Sequence, residues 1–319
     1  MRLLAAVVLG SLTVVGVGNV ASASDAHALS DGLTQPAIAE IDRALGFGLA
    51  PESPPFDPKL DAPKRVVTPS GRVIFLPNGC RTAARPWDFV VHFHGAPTSV
   101  EPAFERSGID TVLGIVNLGI GSGAYETALQ LPGSFDELIG RFAGAVRDAC
   151  PGAATTPRRI ALSGWSAGYG AVFRVLDRER DAVRIDAVLL ADGLHASLEP
   201  GHRFERHVSV DHMAPFTAFA DEAVAGKKLF ALTHSQITTP YASTTETADF
   251  LLAQEGVARV PMKNTVPPRP GMTLKTRADR SGFHIAGYTG NNEVAHCDHL
   301  HALGETLLPY LKERWGTPD

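Results

Sequence analysis

The chain has 319 residues and a net charge of −5, with no basic stripe for nucleic acid and no acidic tail. Its 44% hydrophobic content suffices for a sizeable buried core, and the length allows one large domain or two small ones.

The first segment, "MRLLAAVVLGSLTVVGVGNVASAS", has a positive charge at Arg2, an apolar run from Leu3, and Ala21-Ser22-Ala23. That order reads as a cleavable signal peptide over residues 1–23, so the expected location is secreted or periplasmic. The run is short for a membrane span and is broken by Gly10, Gly16 and Gly18, so no stable membrane anchor is expected. Residues 24–64 read as a leader, with a helical pattern in "QPAIAEIDRALG" and a proline-rich linker in "APESPPFDPKLDAP". Export permits disulfides. Three cysteines allow one internal pair, and Cys80 with Cys150 is preferred because Cys297 sits among histidines.

A different rhythm runs over residues 65–319. "KRVVTPSGRVIFLP" alternates around a turn and predicts a β-hairpin. Six short apolar runs follow: "WDFVVHFHG", "TVLGIVNLGIG", "RRIALSG", "IDAVLLADG", "KKLFALTHS" and "FHIAGYTG". Several intervals between them carry helical patterns. "SFDELIGRFAGAVRDAC" offers Ser134 as N-cap with Glu137 three residues on, a capping box. "ALGETLLPYLKERW" predicts a closing amphipathic helix kinked at Pro309. Buried strands separated by helices imply one α/β domain with a mostly parallel sheet, helices on both faces and an antiparallel opening hairpin.

The stretch "LSGWSAGYGAV" places Ser166 between small residues, after an apolar strand and before a helical pattern. In that strand–turn–helix context G-x-S-x-G reads as a nucleophile elbow, because a serine at so tight a corner needs small neighbours at plus and minus two. With this elbow midway, an acid after a later strand and a histidine before the last helix, the chain over about residues 65–315 resembles an α/β-hydrolase. The resemblance implies a triad in the order Ser, Asp or Glu, His.

Carried onto this sequence, the resemblance makes Ser166 the nucleophile. The backbone N–H of Ala167 and one from Gly95 or Ala96, in the "VVHFHGAP" step, would form an oxyanion hole. The base would come from "YTGNNEVAHCDHLHALGE": His296, expected on the loop, is assigned, with His299 near the first turn the alternative and Asp298 a candidate N-cap. His301 falls inside the helical pattern. Asp192, at the end of "IDAVLLADG", is assigned the acid, with Glu246 the alternative. Many relatives place the acid after the next strand, but "KKLFALTHSQITTPYASTTE" has no aspartate in its loop. Trp165, Tyr241 and Ser243 are candidate substrate-binding residues at the strand edge where open α/β sheets take ligands.

Two other readings stay open. His92 and His94 in "HFH", with His296 and His299 in "HCDHLH", have spacings a zinc hydrolase uses. A binding protein that has lost its chemistry would also use this fold. The expectation is a serine hydrolase, esterase-like, for a small ester or amide substrate, with no cofactor. The interval between Asp192 and Lys227 is short and starts polar (His202, Arg203, Glu205, Arg206, His207), and only "MAPFTAFADEAVAG" could form an apolar-faced helix. An amphipathic lid needs a longer apolar face, so short-acyl or small polar substrates are expected rather than lipid surfaces.

Overall fold

The computed structural model describes residues 62–84, 86–200 and 206–316. The signal peptide, most of the leader with its helical and proline-rich segments, and His202, Arg203 and Glu205 lie outside the described residues.

The hairpin forms as read, with β1 (Lys64–Val67) antiparallel to β2 (Val73–Leu76). The six apolar runs supply β3 (Asp88–Phe93), β4 (Val112–Val116), β5 (Arg159–Trp165), β6 (Ile185–Ala191), β7 (Leu229–His234) and β10 (Phe283–Tyr288). β3 to β7 and β10 pair in parallel with one another. Two strands were not legible as apolar runs: β8 (Val260–Pro261) and β9 (Leu274–Arg280), which build a second antiparallel edge on β10. β9 reads "LKTRADR" and buries only Ala278 fully, so its polar composition hid it. The sheet order is β1-β2-β4-β3-β5-β6-β7-β10-β9-β8.

Central strands are buried on both faces, which is why they read as continuous apolar runs. In β6, Val188 and Leu190 enter one core while Ala187, Leu189 and Ala191 enter the other. The first core is covered by α3 (Ser134–Ala149), α4 (Tyr169–Leu176), α6 (Val210–Val224) and α7 (Thr244–Glu255). The second is covered by α1 (Pro97–Ser107) and the C-terminal helices α8 (Glu293–His301), α9 (Leu303–Thr306) and α10 (Leu308–Trp315). Short helices α2 (Ser122–Ala128) and α5 (Glu179–Ala182) complete the set. None of the described helices is long and apolar enough to cross a membrane.

Two local expectations are corrected. Ser134 is the first residue of α3 and caps nothing: its hydroxyl donates to the Leu131 carbonyl at 2.7 Å, and Gly133, at φ 85°, is the N-cap. The closing helix is two helices, broken at Leu307 just before Pro309, which cannot continue a hydrogen-bond ladder. The "MAPFTAFADEAVAG" segment makes up most of α6, a helix with an apolar face as read, and that face buries Met213, Phe216, Phe219 and Ala220 in the core. Cys80 and Cys150 form the disulfide and Cys297 is free.

Strand order fixes where a ligand fits. From β3 the chain runs to β4 on one side and then to β5 on the other. That reversal opens a crevice at the carboxyl ends of β3 and β5, the place where open α/β sheets bind ligands.

Candidate active site

Ser166 leaves β5 directly into a single 3-10 turn, Ser166–Gly168, which leads into α4. Its φ is +47°, a left-handed conformation that L-residues adopt at a cost of about 1 kcal/mol or more. Backbone contacts enforce it. A Cβ on Gly168 would lie 2.1 Å from the Phe93 carbonyl oxygen, so the elbow packs on the end of β3 with no room for a side chain. A Cβ on Gly193 would lie 2.5 Å from the Ser166 nitrogen. These two glycines, and not propensity alone, shape the corner.

Three non-glycine residues with positive φ end three adjacent parallel strands: His94 (70°) after β3, Ser166 (47°) after β5 and Asp192 (41°) after β6. Strain of this kind persists where surrounding structure over-determines it, and it gathers at functional sites. All three sit at the carboxyl edge of the sheet, where strand order predicts the crevice.

Asp192 is 2% exposed. Its Oδ1 accepts the Ser235 N–H at 2.8 Å and the Thr244 hydroxyl at 2.6 Å, and its Oδ2 lies 2.7 Å from His296 Nδ1. Burial alone would raise the carboxyl's pKa, but the His296 contact, the neighbouring His299 and the Thr244 hydroxyl outweigh it and hold the group well below the usual carboxylate range. With the His296 Nδ1–H donating to the ionised Asp192, the His296 Nε2 is left free to accept a proton. Ser166, Asp192 and His296 line one cavity of about 320 Å³, open to solvent.

His296 does not sit on a loop. α8 starts at Glu293, with Asn292 as N-cap accepting the Ala295 N–H at 2.9 Å, so His296 is in the first turn. Asp298, expected to cap the helix, lies inside it and pairs with Arg269 at 2.7 Å. The Trp165 indole N–H donates to the His296 carbonyl at 3.0 Å, and its ring lies between the His94 and His296 rings, 4.9 and 4.8 Å away. Trp165 therefore positions the imidazole, and the sequence had marked it only as a substrate contact.

The alternatives find other employment. Glu246 pairs with Arg206 at 2.6 Å on the far side of α7, an ion pair that pulls its pKa down to about 2. His299 is fully buried, bonded through Nδ1 to the Thr233 hydroxyl, and burial lowers its pKa to about 4. The zinc reading fails on geometry. His92 is buried inside the sheet, with Ser163 at 2.8 Å on one ring nitrogen and the His94 carbonyl at 2.8 Å on the other. His94, past the strand end, turns its Nδ1 to the Tyr125 hydroxyl at 2.8 Å. Among the described residues, no group of three metal-type side chains is gathered.

Of the pocket residues expected, Tyr241 lines the cavity and is 48% exposed. Ser243 does not: its hydroxyl accepts the Glu246 N–H and Glu246 reaches back, a capping box that starts α7. The S-x-x-E spacing carried that signal and was overlooked. Thr244, Ser235 and Glu293, all on the cavity wall, were also missed.

The candidate oxyanion donors lie near one another. Ala167 is in the first turn of the 3-10 segment, where an N–H has no intrahelical partner. Gly95, at φ 119°, and Ala96, the N-cap of α1, come two and three residues after Phe93, the residue against whose carbonyl the elbow packs. The His94 N–H itself is committed to the Val116 carbonyl at 3.0 Å.

No family model and no curated protein matches the chain. Among solved structures it is similar to the ferric enterobactin esterase of Salmonella typhimurium, at 15% identity and TM-score 0.44 over 84% of this chain. The chain spans 60% of that esterase's length. It is also similar to an α/β-hydrolase fold protein of unknown function, at 14% identity and TM-score 0.40, covering 82% of this chain and 100% of that one. A haloalkane dehalogenase loop variant from Bradyrhizobium elkanii matches at 12% identity and TM-score 0.40, covering 79% and 96%. Strand order, the reversal between β3 and β5 and the elbow after β5 identify the architecture independently of these overlaps: the chain has the α/β-hydrolase fold.

Proposed function

We propose that the chain is an exported serine hydrolase that cleaves a small carboxylic ester through an acyl-enzyme. Ser166 Oγ attacks the substrate carbonyl while His296 Nε2 takes its proton, and Asp192 stabilises the imidazolium that forms. The oxyanion is held by the Ala167 N–H and that of Gly95 or Ala96. His296 then returns its proton to the leaving alcohol. Water, deprotonated by the same imidazole, attacks the acyl carbonyl and releases the acid and Ser166. An amide would pass through the same steps.

The observation that carries this reading is the 2.7 Å contact between His296 and a buried, ionised Asp192, in a cavity shared with a serine held at positive φ. The placement of α6 in the core supports short-acyl or small polar substrates, because this helix keeps its apolar face against β7 and β10.

The test is covalent labelling by a fluorophosphonate. The wild type is expected to label at Ser166, and Ser166→Ala to lose both the label and all but the residual ester hydrolysis. Equal labelling of the two proteins overturns the proposal. Rates on p-nitrophenyl esters should fall as the acyl chain lengthens, and a jump on emulsified long-chain triglyceride would remove the short-acyl part of the reading.

A further inference from the structure

The wall of the cavity away from the elbow has a charge pattern that bears on substrate. Beyond the three residues of the proposed chemistry it is formed by His195, Ser235, Ile237, Tyr241, Asn291 and Glu293, among others. None of its described lining residues is a lysine or arginine. Two carboxylates face it. Asp192 is matched by His296, while Glu293, exposed at the start of α8, has no ion-pair partner among the described residues.

The neighbouring groups do not cancel that charge. His195 is 9% exposed and kept neutral by burial, with its Nδ1 3.3 Å from the Ala242 carbonyl. Arg206 does not line the cavity; it donates to the Thr239 and Tyr241 carbonyls, and both oxygens of Glu246 take up its guanidinium. Tyr241 stands edge-on to the His195 ring, 5.1 Å between centroids, which fixes an exposed aromatic ring on the cavity wall. An unpaired carboxylate and a fixed aromatic ring on the wall of one cavity are the elements that attract an ammonium group. A carboxylate or phosphate would meet repulsion from Glu293 and find no cationic partner.

We propose that this cavity selects substrates that carry a positive charge, amine- or quaternary-ammonium-bearing esters, through Glu293 and Tyr241. The inference rests on the serine-hydrolase reading and deepens it. Glu293 lies three residues before His296 on the same helix, so a cation held there is anchored within one turn of the base.

The test compares two fluorophosphonates that share a reactive centre, one with a trimethylammonioethyl group and one with the neutral 3,3-dimethylbutyl isostere. The ratio of their second-order labelling rates at Ser166 is measured in wild type, Glu293→Gln, Glu293→Lys and Tyr241→Leu, at low and high salt. Any intrinsic difference in reactivity cancels when ratios are compared between variants. The cationic-to-neutral ratio is expected to fall several-fold in Glu293→Gln and Tyr241→Leu and about tenfold or more in Glu293→Lys, and to shrink with added salt as exposed charges are screened. Ratios equal within twofold across wild type and the Glu293 variants, with Ser166 still labelled, overturn this inference and leave the hydrolase reading standing. Absence of labelling by either probe in wild type overturns both.

Discussion

At Ser166 the chain is held by backbone against backbone, whereas at Asp192 and His296 it is held through hydrogen bonds that each involve a side chain. The elbow's geometry comes from the Phe93 carbonyl touching Gly168 and from Gly193 fitting under the Ser166 nitrogen. The proposed acid–base arm is drawn from β6, β7, α7 and α8. Its members meet through the Ser235 N–H, the Thr244 hydroxyl, the His299–Thr233 bond and the His296–Asp192 contact. A backbone lock has no intermediate setting, because a carbonyl cannot yield to a methyl group. A hydrogen-bonded arm can lose one contact and still stand. Substitutions on the two sides should therefore differ in kind: the elbow loses the fold, the arm loses rate.

The largest effect is expected at Gly168→Ala. A Cβ 2.1 Å from a strand carbonyl forces β3 and the elbow apart, at a cost at the upper end of single substitutions, above about 4 kcal/mol. Urea unfolding monitored by circular dichroism should show a large drop in midpoint or no folded protein at all. A variant as stable as wild type would mean that the elbow is not locked in the way described.

Next comes Asp192→Asn, which tests the arm without emptying the site. The amide can still accept from Ser235 and Thr244 through its oxygen. Its NH2 then faces His296 Nδ1, so the ring must carry its proton on Nε2, where it cannot accept from Ser166. A loss of about 10⁴ in kcat is expected, as for such a tautomer reversal in other serine triads. Stability should change much less than in Gly168→Ala. A kcat within tenfold of wild type would remove Asp192 from the mechanism.

The same division explains what was legible in the sequence. The elbow is local: a strand, a serine and small residues at fixed offsets spell it out within eleven positions. Asp192 was legible because it ends an apolar run with a glycine after it. His296 was singled out by its place before the last helix, but its setting was misread. Asn292 caps α8 six residues earlier than the Asp298 expected, and an "NNE" start carries little apolar periodicity. Thr244 could not be found at all. One hydroxyl in "ASTTE" looks like any other, and only the 52-residue return of the chain brings it to Asp192. β9 was hidden for a related reason, since a polar, little-buried strand next to the sheet edge has no apolar run to betray it.

Acid should separate the two sides. Burial lowers the pKa of His234 and His299, on the arm, to about 4, and that of His92, beside the elbow strand, to about 3. In the unfolded chain each would titrate near 6.5. Between these values the unfolded state binds protons that the folded state refuses. Stability is therefore lost as pH falls through this window, by up to about 1.4 kcal/mol per pH unit for each histidine. Asp192 adds to the loss below about pH 4, because its lowered pKa stabilises the fold only while the carboxyl is ionised. Urea midpoints should drop between pH 7 and pH 5. Hydrogen exchange near pH 4 should rise first in 233–246 and 293–300 and later in 159–176. A midpoint independent of pH over that range would refute the buried neutral histidines.

The smallest effect belongs to Thr244→Val, which keeps the shape and removes one hydrogen bond. The hydroxyl gives Asp192 Oδ1 its 2.6 Å contact, while the Ser235 N–H and His296 retain theirs. Losing a hydrogen bond to a buried charge costs about 1.5–3 kcal/mol when nothing replaces it. Part of that cost falls on stability. The rest raises the Asp192 pKa, weakens its support of the imidazolium and lowers kcat, with KM little changed because Thr244 contacts the acid rather than the attacked carbonyl. A fall of about tenfold in kcat is expected, together with a shift of the acidic limb of the kcat profile. Thr244→Ser restores the hydroxyl and should restore both. If Thr244→Val lowers stability alone and leaves the acidic limb where it was, the hydroxyl braces α7 against β6 and does not tune the acid.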